Sequence, residues 1–252
     1  LSHEFCSSNS TFEFCNNVNF INLKRTIFSK KIKEVIIAHN PYDWLLILKN
    51  EKCNKIRIYY QHSTEQLSVN MKDHKLAGFV GGGGTWFIET VYDGYSDFWI
   101  NRWKVTNPEA KDKKIWSVNY IRVLTNQKTI YIQKDLNIIK ANLSKILEDV
   151  IEFAYQKDLN NWADIFKKAK SILNSPNPNE DYYHKDLIVN KNYELIAKQI
   201  LFSAANAWVF GGMGSWNDIG FQSEEDNKKY EELSEKLYEN ICTAIVASIN
   251  SF

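Results

Sequence analysis

An α+β fold is what this sequence predicts: a mostly antiparallel N-terminal sheet followed by about four C-terminal helices packed on it or alongside it. Three observations carry that expectation. From Ile32 to Ile132 the apolar residues alternate with the period of two that a strand needs, or run continuously over short stretches. Beyond Lys134 they recur about every 3.6 residues, the period of a helix. Asp93-Gly94, flanked by two β-rich runs, gives the strongest hairpin signal in the chain. Strands first and helices afterwards argue against a doubly wound fold. With 252 residues, one compact domain is expected, with a sheet-rich part at about 32–132 and a helical part at about 134–252.

In chain order, residues 1–20 are polar with scattered Phe5, Phe12, Phe14 and Phe20, and read as a loosely structured lead-in or a short edge element. Val35–Ala38 is a short apolar stretch, and Asn40-Pro41 then makes a turn. Trp44–Leu48 is a continuous apolar run and reads as a strand buried on both faces. Ile56, Ile58 and Tyr60 mark the next strand of a meander, and Gln66–Asn70 another. A two-residue type I′ turn at Asp93-Gly94 pairs Tyr92 with Tyr95 and sets the register outward. One hairpin face then carries Trp86, Ile88, Thr90, Tyr92, Tyr95, Asp97, Trp99 and Asn101. The other carries Phe87, Glu89, Val91, Phe98, Ile100 and Arg102. Ile115–Leu124 and Thr129–Ile132 form a further expected hairpin around Thr125-Asn126-Gln127.

The helical half opens with Leu136, Ile139, Leu143, Ile146, Leu147, Val150, Ile151 and Ala154 on one face. Trp162, Ile165, Phe166, Ala169, Ile172 and Leu173 define a second helix, and Ser175-Pro176-Asn177-Pro178-Asn179 then breaks the chain. Tyr193, Ile196, Ile200, Leu201, Ala204 and Trp208 define a third, followed by a glycine pair that resembles a left-handed C-cap. Ser223 with Asp226 resembles a capping box and opens the last helix.

The composition narrows the function classes. A net charge of +1 with 24% charged residues supplies no basic stripe for nucleic acid and no field toward anionic lipid. Cys6, Cys15, Cys53 and Cys242 have neither CxxC nor zinc spacing, so reduced thiols and a cytoplasmic setting are expected. The chain starts at Leu1 without Met, which fits a cut or processed chain, so a processed secreted form stays compatible. His3, His39, His62, His74 and His184 never fall at i,i+4 or as H-x-H, so no metal site and no cofactor are expected.

One motif occurs twice. Residues 79–86 read Phe-Val-Gly-Gly-Gly-Gly-Thr-Trp and residues 209–216 read Val-Phe-Gly-Gly-Met-Gly-Ser-Trp. All ten glycines lie within 78–94 or 211–220, marking two places that need positive φ or a close approach. Gly81–Gly84 lack the Lys and helix of a phosphate loop, so a tight turn or bulge is the plainer reading. The repeat has three readings: a chance match, a duplication, or two loops meeting at one site. The flanks do not align, which disfavours duplication. The shared-site reading places Trp86 and Trp216 as walls and Asn217 and Asp218 as the polar groups.

Chemistry-bearing residues near the clusters are Glu89, Asp93, Asp97 and Asp218. Asp93 reads as a turn residue, Glu89 as a solvated strand charge and Asp218 as a cap. Gly214-Ser215-Trp216 is no nucleophile elbow, because Asn217 stands where a second Gly is needed. The face holding Trp86, Tyr92, Tyr95, Asp97 and Trp99 suits a protein-binding patch if exposed and a core if covered. The leading expectation is a non-enzymatic protein-binding module, of bacterial immunity or antitoxin type, that occludes a partner protein. The alternative is a hydrolase-like enzyme or small-ligand binder with a pocket between Gly81–Gly84 and Gly211–Gly214.

Overall fold

A computed structural model describes residues 15–25, 32–63, 71–180, 182 and 193–252. The expected second meander strand at Gln66–Asn70, together with Phe5, Cys6, Phe12, Phe14 and His184, lies outside the described residues. The α+β class holds: a six-stranded mixed sheet comes first in the chain and the long helices follow. The chain divides into two compact units, Leu1–Gln61 with Thr85–Tyr131, and His62–Gly84 with Ile132–Phe252.

The first unit is the sheet. Its strands are β1 (Cys15–Arg25), β2 (Ile32–Ala38), β3 (Lys55–Gln61), β4 (Thr85–Val91), β5 (Ser96–Val105) and β6 (Trp116–Gln127). They are ordered β2-β1-β6-β5-β4-β3. Every neighbouring pair is antiparallel except β1 with β6, which is parallel. The lead-in expected over residues 1–20 is therefore corrected at its end, because β1 is an interior strand. Val18 and Phe20 are buried in the core, so the period-two signal was present but diluted by the asparagines between them.

A second correction concerns Trp44–Leu48, which lies in helix α1 (Pro41–Asn50) rather than in a strand. Asn40 caps it by accepting a 2.8 Å hydrogen bond from the Asp43 N–H. Pro41 occupies the first turn and Asp43 places a carboxylate at the positive end of the helix dipole. Only Trp44 and Leu48, four residues apart, are buried. A short apolar run is compatible with either element, and here the cap decides. Trp44 stacks on Phe20 at 4.4 Å and meets Trp99 edge-on at 5.5 Å, which seats α1 on one face of the sheet.

The Asp93-Gly94 hairpin has the expected register. Tyr92 donates its N–H to the Tyr95 carbonyl at 2.8 Å, and Thr90 pairs with Asp97, Glu89 with Phe98 and Ile88 with Trp99. The turn is not type I′, however, because Gly94 alone has positive φ, at 80°, and Asp93 does not. The second expected hairpin is also corrected. Residues 125–127 remain in β6, where Gln127 pairs with Ser96. Asp97 accepts the Asn126 N–H at 2.7 Å, which holds β6 to β5 across the register shift between the pairs Ser96–Gln127 and Phe98–Leu124, where Asn126 has a positive φ of 55°.

The second unit contains α2 (Asp73–Leu76), α3 (Leu136–Gln156), α4 (Asn160–Ile172), α5 (Leu195–Asn206) and α6 (Glu224–Asn250). Helices α3 to α6 match the four apolar stripes. α3 packs against α4 and α6, and α5 packs against the same two. Leu143, Leu147, Val150, Phe166, Ile200, Leu237 and Ile241 are buried in that bundle. Ser223 caps α6 by accepting from the Asp226 N–H at 3.3 Å, as its spacing predicts. The left-handed C-cap expected after the third helix is absent. α5 ends on Ala207 in a right-handed conformation (φ −82°), four residues before Gly211.

Candidate functional site

The two glycine-rich segments both belong to the helical unit, and they meet there. A Cβ built on Gly78 would lie 2.8 Å from the Gly212 nitrogen and closer still to the Gly211 carbonyl, so only glycine permits this backbone approach. Gly83 is constrained twice over. Its φ is 79°, and a Cβ there would lie 2.7 Å from the Tyr238 hydroxyl. That hydroxyl donates to the Gly83 carbonyl at 2.6 Å, tying the first segment to α6.

Polar side chains complete the joint. Ser215 donates to the Gly211 carbonyl (3.1 Å) and caps a short 3-10 turn, Trp216–Asp218, by accepting the Asn217 N–H (3.3 Å). Asp218 accepts the Gly214 N–H and so holds the second glycine turn closed. Asn217 donates to the His74 carbonyl on α2 at 3.0 Å. Asn217 and Asp218 thus stitch the junction together, each through a bond to backbone.

Trp216 is not a wall of an open site. It is fully buried, donates from its indole to Ser234 at 2.8 Å, and meets Trp162, Phe166 and Tyr230 at centroid distances of 5.5, 5.2 and 5.3 Å. Trp86 begins β4 in the sheet unit, half-buried, with its ring 4.9 Å from Tyr60. The repeat therefore builds two different structures. In the second copy Phe210 is buried, whereas in the first Phe79 is 66% exposed and Val80 57%. Met213, the variable position of the second copy, is fully exposed. These three side chains were missed as candidates, although the motif itself contains them, because sequence gives no direction in which a turn residue points.

The aromatic hairpin face is the core face of the sheet. Trp99 is fully buried, and Tyr92, Thr90 and Asp97 are buried with it. Tyr95 is exposed at the turn, where its ring stacks on Tyr92 at 4.8 Å. The exposed-patch expectation for these residues is corrected because α1 covers that face. The polar members form a network around Arg122, which bonds Glu51 at 2.7 Å, Asp97 at 2.8 Å and the Tyr92 hydroxyl at 2.7 Å. Burial pushes the Tyr92 phenol above its usual range.

Glu89 is likewise corrected. It is fully buried on the opposite face, directly across from Arg57 on β3, with 3.4 Å between the charged groups. Thr129 donates to its other oxygen at 2.9 Å and contacts the Ser96 hydroxyl at 3.0 Å. Burial, reinforced by Glu89, pushes the Tyr59 phenol up to about 12. The sequence places Arg102 on the same hairpin face but not opposite Glu89; the strand that supplies the partner is β3, and pairing order is a tertiary property.

Among the described residues, no group of three or more His, Cys, Asp or Glu side chains is arranged to hold a metal ion. Cys15, Cys53 and Cys242 are free thiols, and burial pushes Cys242 up to about 12, away from the thiolate needed for nucleophilic work. No helix among the described residues is long and apolar enough to cross a membrane. The helical unit has an open groove of about 660 Å³ between α3 and α6, lined by both signs of charge (Glu152, Lys157, Asp226, Lys229), and it includes no residue of either glycine segment. Compared with known proteins, the chain matches no family model, no curated protein and no solved structure.

Proposed function

We propose that the chain is a non-enzymatic protein-binding module, of the bacterial immunity or antitoxin kind, acting in the cytoplasm by covering a partner protein. The observation that carries this reading is the outward presentation of Phe79, Val80 and Met213 from two turns braced against each other at Gly78 and Gly211. Large apolar side chains grouped at the surface cost solubility and mark places that a partner covers. A phenylalanine on one turn and a flexible methionine on the other are suited to fitting a protein surface. The braced backbone lowers the ordering cost of binding. Asn217 and Asp218 each make a backbone bond at the junction, the Asn217 amide to the His74 carbonyl and the Asp218 carboxylate from the Gly214 N–H.

The test compares the tagged chain with its Phe79→Ser/Met213→Ser double variant in host lysate, with bound proteins identified by mass spectrometry. Both sites are exposed, so circular dichroism and Tm should match between the two. The expected result is a stoichiometric partner held by the parent chain and lost by the variant. Retention of the same proteins by both, or of none by the parent, would overturn the proposal.

A further inference from the structure

α2 carries a histidine in an unusual setting. His74 is 1% exposed, yet neither ring nitrogen has a hydrogen-bond partner among the described residues. Its Nε2 lies 3.4 Å from the Glu231 carboxylate on α6, and its ring meets Phe210 edge-on at 6.0 Å. Around it, the 72–84 segment is held by contacts of other kinds. Lys72 pairs with Glu235 and Lys75 with Glu231, both at 2.6 Å. Asn217 holds the His74 carbonyl, and Tyr238 holds that of Gly83.

We propose that His74 is a pH-sensitive latch, whose protonation releases the 72–84 segment from α6 and from the 210–217 turn. A buried imidazole with no hydrogen bond is tolerable only while neutral, since an uncompensated buried charge is costly. Glu231 offsets only part of that cost: its Oε1 is paired with Lys75 at 2.6 Å, its Oε2 stands 3.4 Å from the ring, and burial outweighs it. The charged groups around the ring are Glu231 and Glu235 on α6 and Lys72 and Lys75 beside it. Asp73, next in sequence, pairs with His62 at 3.4 Å. The 210–217 turn contributes Phe210 and the amide of Asn217.

The sign follows from these surroundings. Burial is the largest influence and lowers His74 below its ordinary 6.5; Lys75 and Lys72 act in the same direction, and Glu231 and Glu235 oppose them. In the opened segment the ring takes its proton at the ordinary value. The closed state's advantage is therefore complete above that value, shrinks as pH falls, and levels off once the closed form also protonates.

Hydrogen exchange of the full chain between pH 7.5 and 5, corrected for intrinsic rates, tests the latch without reference to any partner. Opening of peptides from 72–84 should rise below pH 6.5 by up to about tenfold per pH unit, while α3 peptides do not change. His74→Phe should abolish the rise. Glu231→Gln, which removes an influence favouring the proton, should let it continue to lower pH. Parallel behaviour of 72–84 and α3 at every pH, or an unchanged rise in His74→Phe, overturns the proposal. If His74→Phe does not fold, a Glu231→Gln profile identical to the parent's overturns it.

Discussion

Gly78 and Gly211 touch through their backbones, 133 positions apart in the chain, with no room for a β-carbon on Gly78. The contact converts two short glycine-rich turns into one brace on the helical unit. Gly78→Ala should cost about 1–3 kcal/mol, as overpacking does when the neighbour is backbone. Gly212→Ala meets open space and should stay within about 0.5 kcal/mol. Urea denaturation of the two variants measures the difference, and equal midpoints would remove the brace from the account.

Gly94 supplies the one positive φ of the β4–β5 turn, at 80°. A β-branched residue there is strained although nothing occupies the space around it. Gly94→Val should destabilise the protein by about 1–3 kcal/mol, while Asp93→Ala, lacking the positive φ, should cost far less. Thermal unfolding of both variants separates a backbone effect from a side-chain one.

The pair Arg57 and Glu89 shows how a buried carboxylate is tolerated. Arg57→Leu leaves Glu89 fully buried without its counter-charge, and should cost about 3–5 kcal/mol. The double variant Arg57→Leu/Glu89→Leu should recover much of that loss, because both charges leave together. A double-mutant cycle by chemical denaturation gives the coupling; additive single effects would mean that the two groups do not depend on each other.

Alkaline pH should weaken the fold through its tyrosines. Tyr59 is raised to about 12, first by burial and then by Glu89. The unfolded chain loses this proton near pH 10 and the folded chain later, so stability is intact below pH 10 and declines as pH rises toward 12. Tyr230, raised mainly by burial, adds to the same limb. Tyr59→Phe should flatten part of the decline between pH 10 and 12 in a denaturation series.

Much of this architecture could be read locally. The stripes of α3 to α6 appear as a 3.6 period, Ser223 announces α6, and Asp93-Gly94 dictates the register that places Trp99 beside Ile88. These features depend on residues within a few positions of one another, where propensity, capping and turn chemistry act directly. α1 was legible too, through Asn40, Pro41 and Asp43, but the apolar run Trp44–Leu48 outweighed its cap.

The sequence by itself determined the class, the order of the sheet's later strands before the four long helices, the hairpin register, and the positions of the two glycine-rich segments. Tertiary structure alone decided which faces were covered and which distant groups met. It put Trp99 and Trp216 in cores, turned Phe79 and Met213 outward, and brought Arg57 to Glu89. The reason is physical: periodicity records that a face is apolar, whereas burial depends on which element, from anywhere in the chain, arrives to cover it.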